Sequence, residues 1–346
     1  MEYLLWAAVL VVGIYVLLRS ANGLVHGAVQ VMHHRHISAS AFGIIVLAAL
    51  TALPETFVSV ISALRGNDSF AYGNLLGSNT TNIPLVLGLS IFLGRGINIH
   101  NLLWTRRNAL FLCFATLIGT LTMMDLKVDR IDGLLLLAVF AMYLYSIFIS
   151  EWEHAKVQKE VKAKSWLWKK MHQHVSIIEK KKHHNIFLRI KHSSVTILLV
   201  SAAGLIAGSN LMVMGAGGLV NTLHISELFI GLIGLGLATN LPEVASSIAA
   251  VKKGESTLGL SNIIGDNVAT ILLALGLTGL IHPIQIEPVS LAVDIPLLLF
   301  VTVFFTFILY VRKQISRLTG VLFLLIYLAV MGLYFFYHCL HLTACA

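Results

Sequence analysis

Charge is what this chain has least of: Asp, Glu, Lys and Arg make up 12% of its 346 residues, against 57% hydrophobic residues. A water-soluble fold could not cover itself with so little polar surface, so the composition excludes an ordinary soluble domain and makes the bilayer the solvent. Cysteine is nearly absent as well. Cys113, Cys339 and Cys345 are too few and too scattered for a disulfide framework or a zinc site of recognisable spacing. The chain lacks His-Glu-x-x-His, Gly-x-Ser-x-Gly and phosphate-loop signatures, which argues against a membrane-embedded enzyme, and it suggests no cofactor.

Substantial polar stretches are equally scarce, and residues 151–192 form the one exception. This segment holds eleven of the 24 Lys and Arg residues, including the run EKKKHH at 179–184. A basic connection in a polytopic protein is the signal that retains a loop in the cytoplasm, so the net charge of +8 points to topology and not to nucleic acid. Its Lys clusters and the WLW at 166–168 also suit anionic lipid or a regulator.

Everything else is apolar runs long enough to span, roughly 17 to 25 residues each. The expected spans are 3–30, 39–64, 70–94, 108–124 and 133–150, followed by 194–215, 225–251, 257–281, 289–311 and 318–337. This gives an all-α polytopic membrane protein of ten helices: a first five-helix unit over 1–150, a basic linker over 151–192 and a second unit over 193–346.

Sliding the chain against itself by 188 residues exposes a repeat. TALPE at 51–55 falls on TNLPE at 239–243, and Ser59, Gly66, Asn74, Gly77, Asn79 and Gly88 meet Ser247, Gly254, Asn262, Gly265, Asn267 and Gly276 without a gap. An odd number of spans in each copy forces the second to enter the membrane from the opposite side. Basic residues test this independently. With the N-terminus outside, the inner connections carry 20 Lys and Arg and the outer ones three, Arg19 within the first span being left out. Both termini are therefore expected outside, in a cell (inner) membrane, with the linker in the cytoplasm.

Most of the 16 acidic residues fall in loops or at helix ends, but Glu55, Glu243 and Asp266 lie within apolar spans. A lone charge there costs at least about 2.5 kcal/mol, so something must compensate it. Glu55 and Glu243 occupy equivalent repeat positions, each directly after a proline. Pro54 and Pro242 remove a backbone donor and should break their helices, freeing the carbonyls of Leu50 and Ala238. Broken helices at matching places in two inverted halves point to a transport site near the midplane. Freed carbonyls, the Thr51 and Thr239 hydroxyls and the two carboxylates offer oxygens only, the set that sodium, calcium or magnesium prefers. The segments GNLLGSNTTN at 73–82 and SNIIGDNVAT at 261–270 place Ser78 with Asn82, and Asp266 with Thr270, four residues apart on one helical face.

These paired Pro-Glu segments, each followed by a Gly-Ser-Asn-like segment, resemble the alpha repeats of the sodium/calcium exchanger family, within the cation/calcium antiporter superfamily. The resemblance is to the prokaryotic type without a large regulatory domain, and it covers nearly the whole chain apart from the linker. It implies a ten-helix fold with broken second and seventh helices, in which Thr51, Glu55, Ser78, Asn82, Thr239, Glu243, Asp266 and Thr270 line a diamond of cation sites. The long first and sixth helices would slide or rock against that core. The implied activity is sodium-driven calcium exchange by alternating access, with calcium and sodium as transported substrates and membrane lipids as surroundings. Proton-, potassium- or magnesium-coupled exchange by the same fold is the alternative. The chain departs from the family pattern in three places. LTA at 50–52 and ATN at 238–240 each lack a serine that the family has before Pro-Glu, and GDN at 265–267 stands where Gly-Ser-Asn is usual. The sequence leaves the oligomeric state open, and a monomer is compatible with it.

Overall fold

The computed structural model describes residues 2–34, 52–94, 96–98, 102–149, 191–252, 256–312 and 314–337. Helix α1 is Glu2–His34, α2 is Leu53–Leu64, and α3 is Asp68–Leu93, wound as a π-helix over Asn82–Leu87. Helix α4 is Leu102–Leu121, α5 is Arg130–Ile149 and α6 is Lys191–Leu223. Helix α7, Glu227–Thr239, ends in a break at Asn240, after which α8 is Leu241–Lys252. Helix α9 covers 256–281 with a π-segment at Thr270–Ala274, α10 is Pro288–Val311, and α11 is Arg317–Phe335. Two short antiparallel ladders tie connections together: β1 (Ile97–Asn98) with β4 (Gln314–Ile315), and β2 (Lys127–Val128) with β3 (Ile284–Gln285).

Seven helices among the described residues are long and apolar enough to cross a bilayer, and the chain is a multi-pass membrane protein. Its polarity is inside out relative to a soluble fold. Large apolar side chains such as Leu4, Ile131, Leu199 and Leu318 are 60–78% exposed on the outside of the bundle. Thr, Ser, Asn and carboxylate side chains are buried within it. Burial also ranks the helices: 83% of the apolar window is buried in both α3 and α9, against 17% in α1 and 22% in α11. The two helices that carry the polar clusters are therefore the centre of the bundle.

The 188-residue offset reappears in the element boundaries. Helices α2 and α8 begin at Leu53 and Leu241, and the π-segments of α3 and α9 begin at Asn82 and Thr270. Ala52 and Asn240, at the two helix starts, share nearly the same backbone conformation, φ −77°, ψ 0° and φ −76°, ψ −6°. Their carbonyls accept the Thr56 and Val244 amides at 3.0 Å each.

The expected spans lie close to these helices, with three differences. Helices α1 and α6 are each 33 residues long, well beyond 3–30 and 194–215. The expected second span, 39–64, is described only from residue 52, and 151–190 of the expected linker lie outside the described residues. The π-segments have no counterpart in the sequence reading, because a π-turn changes hydrogen-bond register without changing hydropathy.

Helices α1 and α6 pack antiparallel along their length with backbones almost touching. A Cβ added at Gly13 would lie 2.6 Å from the Met212 amide nitrogen, one at Gly208 2.6 Å from that of Leu17, and one at Gly215 2.5 Å from that of Leu10. Small residues permit such an approach where lipid supplies no hydrophobic drive. A second tight crossing joins α3 to α7. A Cβ at Gly77 would fall 2.0 Å from the Leu232 carbonyl oxygen, and one at Gly236 would fall 2.7 Å from the Ser78 nitrogen. This contact delivers the end of α7, with Thr239 and Asn240, to the middle of α3.

Candidate cation site

Proline opens both helices that carry the paired glutamates. Pro54 and Pro242 occupy the first turns of α2 and α8, where no intrahelical donor is needed, and Glu55 and Glu243 follow in that same turn. Each carboxylate thus sits against the positive end of a helix dipole. Both residues are fully buried. Asp266 on α9, also fully buried, acts electrostatically on both, and Glu55 acts on Glu243, so the three carboxylates share one neighbourhood inside the bundle.

Both Glu55 oxygens are buried without a hydrogen bond among the described residues. Uncompensated carboxylate oxygens at this depth call for a cation or a proton. The Asn82 amide, on α3, donates to Asp266 Oδ2 at 2.8 Å and joins the two central helices at the start of the α3 π-segment. Thr270 is buried at the matching π-start of α9, one turn beyond Asp266.

Asn74 holds the frame around these groups. Its amide donates to Ser59 Oγ at 2.9 Å and to the Glu55 carbonyl at 3.2 Å, and its Oδ1 accepts from Thr239 Oγ1 at 3.4 Å. Ser59 Oγ in turn donates to the Ala71 carbonyl at 2.9 Å. One side chain therefore locks α2, α3 and the end of α7 together.

Of the eight expected ligands, Glu55, Glu243, Asp266, Asn82, Thr239 and Thr270 are buried in this region. Ser78 is buried too, but its hydroxyl donates to Asn240 Oδ1 at 2.7 Å. Thr51 lies outside the described residues. Among the described residues, no three carboxylate, imidazole or thiolate groups close into a compact metal cluster. A cation held here would take neutral oxygens alongside the glutamates, a mixed set that suits hard ions. Two residues escaped the sequence reading. Asn240 marks a departure from the repeat, which signals a special role without naming its partner. Asp294 looks like a helix-end residue, yet it is fully buried behind a kink at Val293 and accepts from Ser290 Oγ at 2.7 Å.

Buried carboxylates at the starts of two repeat-related helices in a multi-pass bundle define a membrane carrier of cations. The chain matches the sodium/calcium exchanger protein family over residues 5–149 and 193–336, and it belongs to that family. It is a transmembrane antiporter, a transporter and not an enzyme, of the cation/calcium-exchanging kind. It is 31% identical over 320 residues to the inner membrane protein YrbG of Escherichia coli K12, covering 92% of this chain and 93% of that one. Similarity to the sodium/calcium exchanger MaX1 of Methanosarcina acetivorans is 21% over 351 residues, covering 95% and 98% of the two chains. A solved structure of the sodium-calcium exchanger NCX_Mj, soaked with sodium and strontium, superposes with a TM-score of 0.62 at 25% identity, covering 95% of this chain and 99% of that one.

Proposed function

We propose that the protein exchanges sodium for calcium by alternating access, with Glu55 and Glu243 as the pair that takes the transported cation. The observation that carries this is their burial at the starts of two repeat-related helices, beside Asp266 and, among the described residues, with no basic side chain hydrogen-bonded to Glu55. Thr239 supplies a neutral oxygen to the site and Thr51, its counterpart in the repeat, is assigned the same role, while Asp266, Asn82 and Thr270 contribute from α3 and α9. Carboxylates that need a cation make the empty site costly to carry across the bilayer, and obligatory exchange follows.

The architecture that suits this mechanism is ten membrane helices in two inverted five-helix repeats, 1–150 and 193–346, joined by a cytoplasmic linker over 151–192. Both termini lie outside a cell membrane. The antiparallel contact of α1 with α6, two helices related by the repeat offset, supports inversion. So do the ladders: β1–β4 and β2–β3 each join one repeat to the other, in registers that the offset nearly interchanges.

The test is calcium uptake into vesicles holding the reconstituted protein, loaded with sodium, potassium, magnesium or acid. Uptake driven by the sodium gradient, and lost in Glu55→Gln and Glu243→Gln, is the expected result. Equal calcium flux without any counter-ion gradient would contradict exchange.

A further inference from the structure

The two halves of the site are not equal, and the inequality lies at one crossing. Asn240, in the break between α7 and α8, is fully buried against α3. Its Nδ2 donates to the Ser78 carbonyl at 2.9 Å and to Thr81 Oγ1 at 3.1 Å, while its Oδ1 accepts from Ser78 Oγ at 2.7 Å. Both amide hydrogens are thereby used, and three oxygen atoms of α3 are tied to one side chain. A cation needs such oxygens pointed at it and cannot share them with an NH2 group that already carries positive charge toward them.

The same three positions read quite differently across the repeat. Subtracting or adding 188 turns Asn240 into Ala52, Ser78 into Asp266 and Thr81 into Ala269, all fully buried. Where one crossing holds an amide, a hydroxyl and a second hydroxyl, the other holds two methyl groups and a carboxylate. One half supplies its own positive partner to a ring of oxygens; the other adds negative charge and takes its amide from Asn82 instead.

We propose that Asn240 is a built-in plug that keeps cations from the oxygens of Ser78 and Thr81, confining ion binding to the Asp266 side of the Glu55–Glu243 pair. The exchanger then carries one monovalent cation fewer per cycle than a chain with two open crossings. This rests on the exchange reading above and deepens it, since it identifies the residue that sets the ion count.

Two measurements on the full-length protein test it. In sodium-driven calcium uptake by reconstituted vesicles, Asn240→Ser, which withdraws both donors and leaves a hydroxyl, should raise the Hill coefficient for sodium by about one and steepen the dependence of rate on membrane potential. In purified protein, the slope of melting temperature against the logarithm of lithium, sodium or potassium concentration counts ions taken up on folding into the bound state. Asn240→Asp, which keeps the shape but replaces the donors by acceptors, should give a steeper slope than the unaltered protein. An Asn240→Ser protein that transports with an unchanged Hill coefficient, or an Asn240→Asp slope equal to that of the unaltered protein in all three salts, would overturn the proposal. Absence of sodium-driven flux in the unaltered protein would instead reject sodium coupling, with the melting slopes still deciding the role of Asn240.

Discussion

Glu55 and Glu243 are distinguished from the other acids by where their charge must be balanced. Both sit at the starts of helices inside the bundle, and among the described residues neither Glu55 oxygen meets a lysine or arginine. Replacing either by Gln keeps shape and removes one unit of charge, so calcium affinity should fall by more than about ten-fold, the loss typical of disturbing a metal site. Asp266→Asn should act differently. It leaves the glutamate pair intact, so the expected change is a shift in the preferred counter-ion with calcium still transported, measured as relative uptake rates in sodium and potassium gradients. The paired glutamates were legible because a charge in an apolar run is conspicuous and the repeat showed it twice. Asn240 was not, because its meaning comes from a partner 162 residues away that only the folded chain brings into contact, and Asp294 was not, because its depth in the bundle is set by packing. Thr51, read as a ligand from its repeat with Thr239, lies outside the described residues.

Among the elements, the crossing of α3 and α7 is the joint on which the site hangs. Gly77→Ala would drive a methyl group to 2.0 Å from the Leu232 carbonyl oxygen, and backbone cannot swing aside as a side chain can. A loss of about 1–3 kcal/mol follows from such overpacking, read as a lowered melting temperature together with reduced transport. Gly217→Ala, whose new Cβ would meet only a Phe70 ring carbon at 3.8 Å, should leave the melting temperature almost unchanged. The start of α5 carries a separate device. Asp129 Oδ1 accepts the Ile131 and Asp132 amides at 2.8 and 3.2 Å, while Asp132 Oδ2 accepts the Asp129 amide at 2.9 Å, a reciprocal cap. These amides, that of Asp132 foremost, hold the Asp129 carboxyl below its usual value. A group whose pKa is depressed by folding stabilises above its unfolded pKa, and that stabilisation is lost as pH falls through the folded value. Hydrogen exchange at Ile131 and Asp132 should therefore accelerate on acidification beyond the ordinary pH trend, and Asp129→Ala should remove that dependence. Such caps follow local sequence rules. Helix lengths do not, and α1 and α6 outran the hydropathy estimate because their ends remain helical beyond the apolar window.

At the scale of the whole molecule, the chain is arranged around α3 and α9, with the mostly exposed α1 and α6 packed on each other at one side. The pair meets the core through one apolar face, where Leu17, Leu205 and Met212 pack with Val58, Phe70 and Leu235, and sliding along such a face suits the alternation that exchange demands. Cross-linking α1 to α2 through cysteines placed at neighbouring positions should then abolish transport and spare ion binding, whereas cross-linking α1 to α6 should permit both. The duplication was visible in sequence because glycines, amides and Pro-Glu pairs recur at one offset. The unequal filling of its two halves was not, since equal spacing conceals which partner each residue meets. Calcium binding to the purified protein, followed by titration calorimetry, bears most directly on the glutamate pair. The account predicts binding in the unaltered protein that sodium competes away and that vanishes in Glu55→Gln/Glu243→Gln, whereas undiminished calcium binding by a folded double variant would contradict it.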